Sequence, residues 1–292
     1  MRTHIQLIAS ASLALSFAAA NAADFTTRDV QFYSEAVLCS GKLFLPAGYS
    51  DSKKSAAVVL APRSGETQTS VEKYAASLAG SGVVAMTFDY RGWGRSGGFL
   101  YFGEPVRWDD RMRFTQLSTK IDIRRKRIDP LAQTIDIRNA LTYLQGDAGV
   151  DRTRLGVWGV GLSADHAMVV AAADARVKAF AAQEPTLIGK NGTKQAFKPT
   201  ADQQTALIAL ARTGSAPKND RAAISMNTQE TKLALAEYFP AWSLDAVPAA
   251  TTALFIANAG DQDVAAAAKR LKGPTETATT PDRAAAWFAK HL

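Results

Sequence analysis

The stretch best suited to chemistry is Arg154 to His166, where an apolar strand pattern runs into a glycine-rich turn and then an alanine-rich helix. This is the setting of the nucleophile elbow, G-x-S-x-G, in which a serine on a strained strand-to-helix turn exposes its hydroxyl. In that register the motif spans Gly159 to Ser163, and the nucleophile position holds Gly161. Because glycine has no side chain, the sequence predicts an elbow without its nucleophile.

Ser163 is the candidate for a substitute nucleophile. This frame places the serine two residues inside the helix and puts Asp165 where the motif has a glycine for close packing. His166 lies three residues after Ser163, so both can share one helix face, but their side chains then run in parallel. We therefore expect Ser163 to begin the helix and His166 to pack, with a Ser163–His166 dyad as the less favoured alternative.

The elements that position this turn alternate between strand and helix patterns. Ala56 to Ala61 and Val83 to Tyr90 are apolar runs of strand length, and Ser70 to Ser81 between them has helical spacing. Leu131 to Leu144 predicts a helix before the elbow, and Val177 to Ala182 a strand after it. Alternation of this kind indicates an α/β fold with a mostly parallel central sheet flanked by helices.

The remaining segments complete this architecture. Phe32 to Cys39 and Lys42 to Leu45 predict two strands around a turn, and Ala253 to Ala257 a further strand. Phe99 to Asp129 is irregular, aromatic and charged, which predicts a long excursion over one edge of the sheet. Thr200 to Phe239 is helical and polar, and predicts a helical cap or lid at roughly residues 190–240. Ala284 to Leu292 predicts a closing helix.

The N-terminus has the features of a secretory signal peptide. A positively charged start precedes the apolar run Ile5 to Ala20, and Ala20-Asn21-Ala22 matches an A-x-A cleavage site. We expect cleavage after Ala22, a single mature domain over residues 23–292, and a periplasmic or secreted location without an integral membrane span.

Composition narrows the classes of function. The 292 residues are 47% hydrophobic, and the single Cys39 cannot form an internal disulfide. Neither C-x-x-C nor H-E-x-x-H spacing is present, so we predict no metal and no cofactor. The net charge of +7 includes the run Arg124 to Arg127, but no nucleic-acid motif accompanies it, so we expect a solvated basic face and no nucleic-acid partner.

The sequence resembles the α/β-hydrolase superfamily, and within it serine hydrolases related to the X-Pro dipeptidyl-peptidases and the dienelactone hydrolases. The resemblance covers essentially the whole mature chain. It is carried by Phe32 to Tyr49, Phe88 to Gly98, Asp136 to Ala140, Val150 to Gly159, Asp174 to Ala179, Lys272 to Pro274 and Ala286 to Leu292. It implies an α/β-hydrolase fold with a helical cap insertion.

The resemblance also implies roles for individual positions. The nucleophile position falls on Gly161, and the histidine of the following helix falls on His166 as a pocket residue. The oxyanion-hole donors fall on the backbone N–H groups of Arg63 and Leu162. The triad's acid falls on Asp261, for which a helix-capping or loop role is the favoured alternative.

The triad's base has no counterpart. The resemblance places it in the loop from Thr275 to Pro281, which contains no histidine, and His291 falls in the closing helix. Because an acid without a base cannot activate a nucleophile, the catalytic triad is predicted to be degenerate. The helix N-terminus at Gly161 would then be an open polar niche, suited to a small anionic or ester-like ligand.

Three functions are compatible with these features. The favoured one is a non-catalytic binder of a small molecule or partner. The alternatives are a hydrolase of ester or amide bonds with an unorthodox site at Ser163, and a structural protein whose pocket has collapsed. The sequence leaves open whether the protein is an enzyme, because a fold does not fix a function.

Overall fold

A computed structural model describes residues 25–102, 118–187 and 240–292, together with nine single positions between 201 and 238. Its centre is an eight-stranded sheet formed by β1 (Phe25–Ser34), β2 (Val37–Pro46), β3 (Ser55–Ala61), β4 (Val84–Phe88), β7 (Val150–Val160), β8 (Val177–Gln183), β9 (Thr252–Ile256) and β10 (Thr275–Ala278). Two further strands, β5 (Phe99–Phe102) and β6 (Ile121–Arg124), lie outside this sheet. The order of strands across the sheet is β1-β2-β4-β3-β7-β8-β9-β10. In the central sheet, the pairs formed by β4, β3, β7, β8, β9 and β10 are all parallel, as predicted. The pairs β1–β2 and β2–β4 are antiparallel.

Helices cover both faces of the sheet. They are α1 (Glu72–Gly80), α2 (Pro130–Gly146), α3 (Leu162–Ala173), α4 (Gln262–Arg270) and α5 (Ala284–His291). Strand residues alternate between two cores because successive side chains point to opposite faces. Core residues of α2, α3 and α4 pack with one set of strand residues, and those of α1 and α5 pack with the other.

The first hairpin corrects one prediction. The turn lies at Glu35 and Ala36, not between Cys39 and Lys42, since Ser34 pairs with Val37. Gly41 lies within β2 and faces a close neighbour: a Cβ there would be 3.0 Å from the carbonyl oxygen of Thr87 in β4. The glycine therefore permits close approach of two strands and does not mark a turn.

The excursion after β4 contains a small hairpin. Strands β5 (Phe99–Phe102) and β6 (Ile121–Arg124) pair antiparallel as a separate sheet. The residues between them, 103–117, and most of the predicted cap at residues 190–240 lie outside the described residues.

The segment after α4 corrects a second prediction. Thr275 to Pro281 is not a loop throughout, because Thr275–Ala278 forms β10 and pairs in parallel with β9. A short 3-10 helix at Pro281–Arg283 then leads into α5. In the described part of the chain, no helix has both the length and the apolar composition needed to cross a membrane.

A buried ion pair explains two of the motifs that carry the resemblance. The Arg91 guanidinium donates to Asp136 Oδ1 from Nε and Nη2, at 2.9 and 2.7 Å, and the Arg91 backbone N–H donates to Asp136 Oδ2. Asp89 accepts from the backbone N–H groups of Gln68 and Arg95. Asp136 ties the turn after β4 to α2, and Asp89 ties the same turn to Gln68 before α1, so both carboxylates have a structural role.

Candidate active site

The elbow predicted at Gly161 has the expected backbone. Strand β7 ends at Val160, helix α3 begins at Leu162, and Gly161 between them has φ +63° and ψ −126°. Its N–H donates to the carbonyl oxygen of Gln183 in β8 at 2.9 Å. L-residues rarely adopt this positive φ, so the turn is strained for any residue with a side chain.

Gly159 is required by the approach of α3. A Cβ at Gly159 would lie 1.8 Å from the carbonyl oxygen of Ser163 and 2.7 Å from the backbone nitrogen of Ala164. No side chain fits there, so Gly159 allows β7 and the first turn of α3 to pack together. The glycine-rich pattern therefore follows from backbone geometry alone.

The niche over Gly161 is not open, in contrast to the prediction. The Arg63 side chain lies over it: a Cβ on Gly161 would be 2.9 Å from Arg63 Nη1 and 3.0 Å from Arg63 Cγ. Arg63 Nη2 donates to Glu184 Oε2 at 2.5 Å, and Glu66 Oε1 lies 3.9 Å from Arg63 Nε. Both members of the Arg63–Glu184 pair are partly exposed, with 41% and 56% of each side chain accessible. The sequence had suggested only the backbone of Arg63 as a site group.

The two proposed oxyanion-hole residues follow adjacent strand ends. Arg63 comes after Pro62 at the end of β3, and Leu162 is the first residue of α3. Since the first N–H groups of a helix have no partner within it, the Leu162 N–H can serve a ligand. The neighbouring Ser64 Oγ is buried and has no hydrogen-bond partner in the described part of the chain.

Ser163 is buried and engaged. It is 0% exposed; its Oγ donates to the carbonyl oxygen of Pro62 at 2.6 Å and accepts from the Tyr90 hydroxyl at 2.9 Å. Neither partner is a base, and a buried hydroxyl cannot meet a substrate without rearrangement. In this geometry Ser163 ties α3 to β3 and to the turn after β4.

His166 is equally buried, and both of its ring nitrogens are hydrogen-bonded to groups other than Ser163 Oγ. Its Nε2 lies 3.0 Å from Gln133 Oε1 and its Nδ1 2.7 Å from the Tyr238 hydroxyl. Because an amide oxygen can only accept, the proton is assigned to Nε2, and Tyr238 donates to Nδ1. Burial lowers the pKa of His166 to about 3, so the ring is neutral at physiological pH. The arrangement gives no support to a Ser163–His166 dyad.

Asp261 caps a helix. Its Oδ1 accepts from the backbone N–H groups of Asp263 and Val264, both at 3.0 Å, at the N-terminus of α4. The residue is exposed, and no histidine follows β10 before α5. His291, in α5, lies against Trp287, with its Nε2 3.3 Å from Glu276 Oε1. Asp261 thus has the helix-capping role that was the favoured alternative.

Several residues of this region could not be identified from the sequence. Glu184 directly follows strand β8, which is the one signal that could have suggested it, because strand carboxyl ends line ligand sites in parallel sheets. Tyr90, Gln133 and Tyr238 are far from α3 in sequence and meet it only through the fold. Among the described residues, no cluster of histidine, cysteine, aspartate and glutamate has the arrangement of a metal site.

Comparisons with known proteins show which solved structures share this architecture. No family model matches the chain. Acyltransferase drtE of Aspergillus calidoustus is 29% identical over 163 residues, which cover 55% of this chain and 45% of that protein. The chain spans less than half the length of the curated relatives it matches.

Solved structures match over most of their length. The α/β hydrolase GrgF from Penicillium sp. sh18 superposes with a TM-score of 0.60 at 18% identity, covering 87% of this chain and 89% of that one. The dienelactone hydrolase of Anabaena variabilis superposes with a TM-score of 0.55 at 14% identity, covering 92% and 99%. Likeness at this level of identity establishes the architecture and leaves the chemistry to the site.

Proposed function

We propose that this chain, which has the α/β-hydrolase fold, binds a small acid or ester-like molecule at the elbow and does not turn it over. The observation that carries the proposal is Gly161, which keeps the elbow backbone but has no nucleophile. Covalent acyl transfer requires a nucleophile, a base within hydrogen-bond reach and a group that orients the base. A degenerate triad at this turn follows if no other group supplies them.

The neighbouring residues support the same interpretation. The hydroxyl of Ser163 is hydrogen-bonded at both sides, and the ring of His166 is held between Tyr238 and Gln133. Asp261 accepts from the backbone of α4. The side chains of Ser163, His166 and Asp261 are therefore each held by structural partners.

The proposed ligand site is at the carboxyl ends of β3, β7 and β8. Ligands of parallel α/β sheets bind outside the carboxyl ends of the strands. Here that edge presents the N-terminus of α3 and the Arg63 side chain, and both favour negative charge. A carboxylate or an ester carbonyl oxygen fits this chemistry.

We further propose that the protein is exported and processed after Ala22. The basis is the charged start, the apolar run and the A-x-A sequence at the N-terminus. A periplasmic or secreted location follows from it.

A hydrolase acting on ester or amide bonds through Ser163 is the second candidate. Its support is the acyltransferase relative and the hydrolases among the similar structures. It requires Ser163 Oγ to leave the Pro62 carbonyl and become accessible, with a base brought to it.

Two measurements on the purified mature protein test the proposal. A thermal-shift screen of small carboxylates and esters is expected to find compounds that raise the melting temperature. Turnover of p-nitrophenyl acetate is expected to be no faster than for Ser163→Ala; a residual rate about 10³–10⁴-fold above water is compatible with binding alone. Rapid turnover that Ser163→Ala abolishes would establish the second candidate instead.

A further inference from the structure

We infer that the Arg63 guanidinium is the ligand-binding group of the elbow, that the ligand is a carboxylate, and that it binds by replacing the carboxylate of Glu184. This inference rests on the proposed function and specifies the class of ligand and what competes with it.

The position of the Arg63 guanidinium is the evidence that this group binds the ligand. Arg63 Nη1 lies 2.9 Å from where a Cβ on Gly161 would be, so the cation covers the backbone position of the missing nucleophile. A guanidinium presents paired N–H donors in a plane, which match the two oxygens of a carboxylate. Nη2 already donates to a carboxylate oxygen, at 2.5 Å from Glu184. The site therefore holds an internal carboxylate on its cation.

The exposure of the pair makes exchange feasible. The two side chains are 41% and 56% accessible, and ion pairs that water reaches contribute little to stability. Glu184 can turn outward without desolvating or burying a charge. Its backbone stays in place, because the Glu184 N–H donates to the carbonyl oxygen of Ile256 at 2.7 Å.

The backbone conformation of Glu184 also supports the inference. Its φ is +49°, a left-handed conformation that costs energy for a residue with a side chain. Such strain is concentrated at ligand and switch sites. Here it directs the residue after β8 so that its carboxylate reaches the elbow from the neighbouring strand end.

Charge decides which ligand is accepted. Glu66 also lies near the guanidinium, with 3.9 Å between Glu66 Oε1 and Arg63 Nε. A bound carboxylate would therefore meet two acidic side chains unless one leaves, and Glu184 makes the shorter contact. Removing its charge frees the guanidinium and removes a repulsion, while an uncharged ester has no such competition.

Binding of sodium benzoate and of methyl benzoate is the test. Dissociation constants are measured by following the Arg63 side-chain Nε–Hε resonance and backbone amides by NMR, at constant ionic strength. Glu184→Gln is expected to bind benzoate about 2- to 5-fold more tightly, the range that an exposed ion pair allows. Arg63→Gln is expected to weaken it about 10-fold or more, as for loss of a charged hydrogen bond.

Arg270 and Asp245 provide matched controls. Their pair has the same 2.5 Å contact and comparable exposure, at the C-terminus of α4. Arg270→Gln and Asp245→Asn should leave benzoate binding unchanged, and circular dichroism should show all four variants folded.

The possible outcomes distinguish the inference about Arg63 and Glu184 from the proposed function. Benzoate binding that is unaffected by Arg63→Gln, or weaker in Glu184→Gln, overturns the inference and leaves a binding protein with another contact. Binding of methyl benzoate alone does the same, since the elbow then recognises an ester. If neither compound binds Glu184→Gln, the inference is overturned. The proposed function is overturned only when the wider screen of acids and esters also finds no ligand.

Discussion

The side chain of Arg63 lies where a side chain of residue 161 would project. A Cβ on Gly161 would be 2.9 Å from Arg63 Nη1 and 3.0 Å from Arg63 Cγ, closer than side-chain atoms ordinarily approach. The same guanidinium contacts Glu184, which follows the neighbouring strand β8. The elbow therefore places a glycine with positive φ beside an ion pair between two strand ends, and the following predictions rest on this arrangement.

Gly161→Ala should destabilise the fold. The positive φ of +63° and the contact with Arg63 both disfavour a side chain, and strain of this kind costs about 1–3 kcal/mol. Urea denaturation measures the free energy of unfolding. Gly146→Ala is the control: Gly146 ends α2 with nothing within 4 Å, and alanine there should be neutral or stabilising. Equal stability of the two variants would show that the elbow is not strained.

Ser163→Ala should also destabilise the protein, by about 1–3 kcal/mol, because it leaves the buried Tyr90 hydroxyl and Pro62 carbonyl without their partner. Ser243→Ala removes a similar bond, from Ser243 Oγ to the Pro240 carbonyl, at a partly exposed position and should cost less. Chemical denaturation compares them. A Ser163→Ala variant as stable as wild type would mean that this hydroxyl is available for another role.

His166 should make the protein less stable in acid. Its pKa is about 3 in the folded state and 6.5 ordinarily, so between these values the unfolded chain binds a proton that the folded protein excludes. The free energy of unfolding then falls as the pH falls through this window, by about 2 kcal/mol from this group between pH 6.5 and 5.

Two measurements check this dependence. Nitrogen chemical shifts should show the His166 ring neutral down to pH 4.5. The stability of His166→Gln should vary less steeply with pH than that of wild type, with His291→Gln as the control for removing an imidazole elsewhere. Protonation of His166 near pH 6 in the folded protein would contradict the buried Tyr238–His166–Gln133 arrangement.

Export is tested by measuring the mass of the protein recovered from the periplasm. Protein expressed with its natural N-terminus in a Gram-negative host should be recovered from the periplasm without its first 22 residues, starting at Ala23. Replacing both Ala20 and Ala22 by larger residues should block processing. Full-length protein in the cytoplasm would end the export proposal.

The sequence is sufficient to predict the strands and helices that have a local residue pattern. The strands β3, β4 and β8, the helix α2 and the elbow at Gly161 all lie where the sequence patterns predict them. The failures arise from contacts between distant segments. The turn predicted between Cys39 and Lys42 is wrong, because Gly41 in this segment lies within β2 and allows the close approach of Thr87 in β4.

The candidate site shows the same division. The sequence alone shows a glycine at position 161 and no histidine from Thr275 to Pro281. The sequence does not show that the Arg63 side chain covers Gly161, because this depends on the contact of Arg63 with Glu184, 121 residues away. The hydrogen-bond partners of Ser163 and His166 are likewise distant in sequence. Tyr90, Pro62 and Tyr238 are 72 to 101 residues away, and Gln133 lies on another helix, α2. No spacing rule predicts such pairs; only the parallel strand order brings them together.

The proposal that the elbow performs no nucleophilic chemistry is tested most directly by a fluorophosphonate probe. Purified mature protein is incubated with the probe, and adducts are measured by intact mass and peptide mapping, with an active serine hydrolase as the positive control. We predict no stoichiometric adduct, because Gly161 has no hydroxyl and Ser163 Oγ is buried between Pro62 and Tyr90. A stoichiometric adduct on Ser163, lost in Ser163→Ala, would contradict the account.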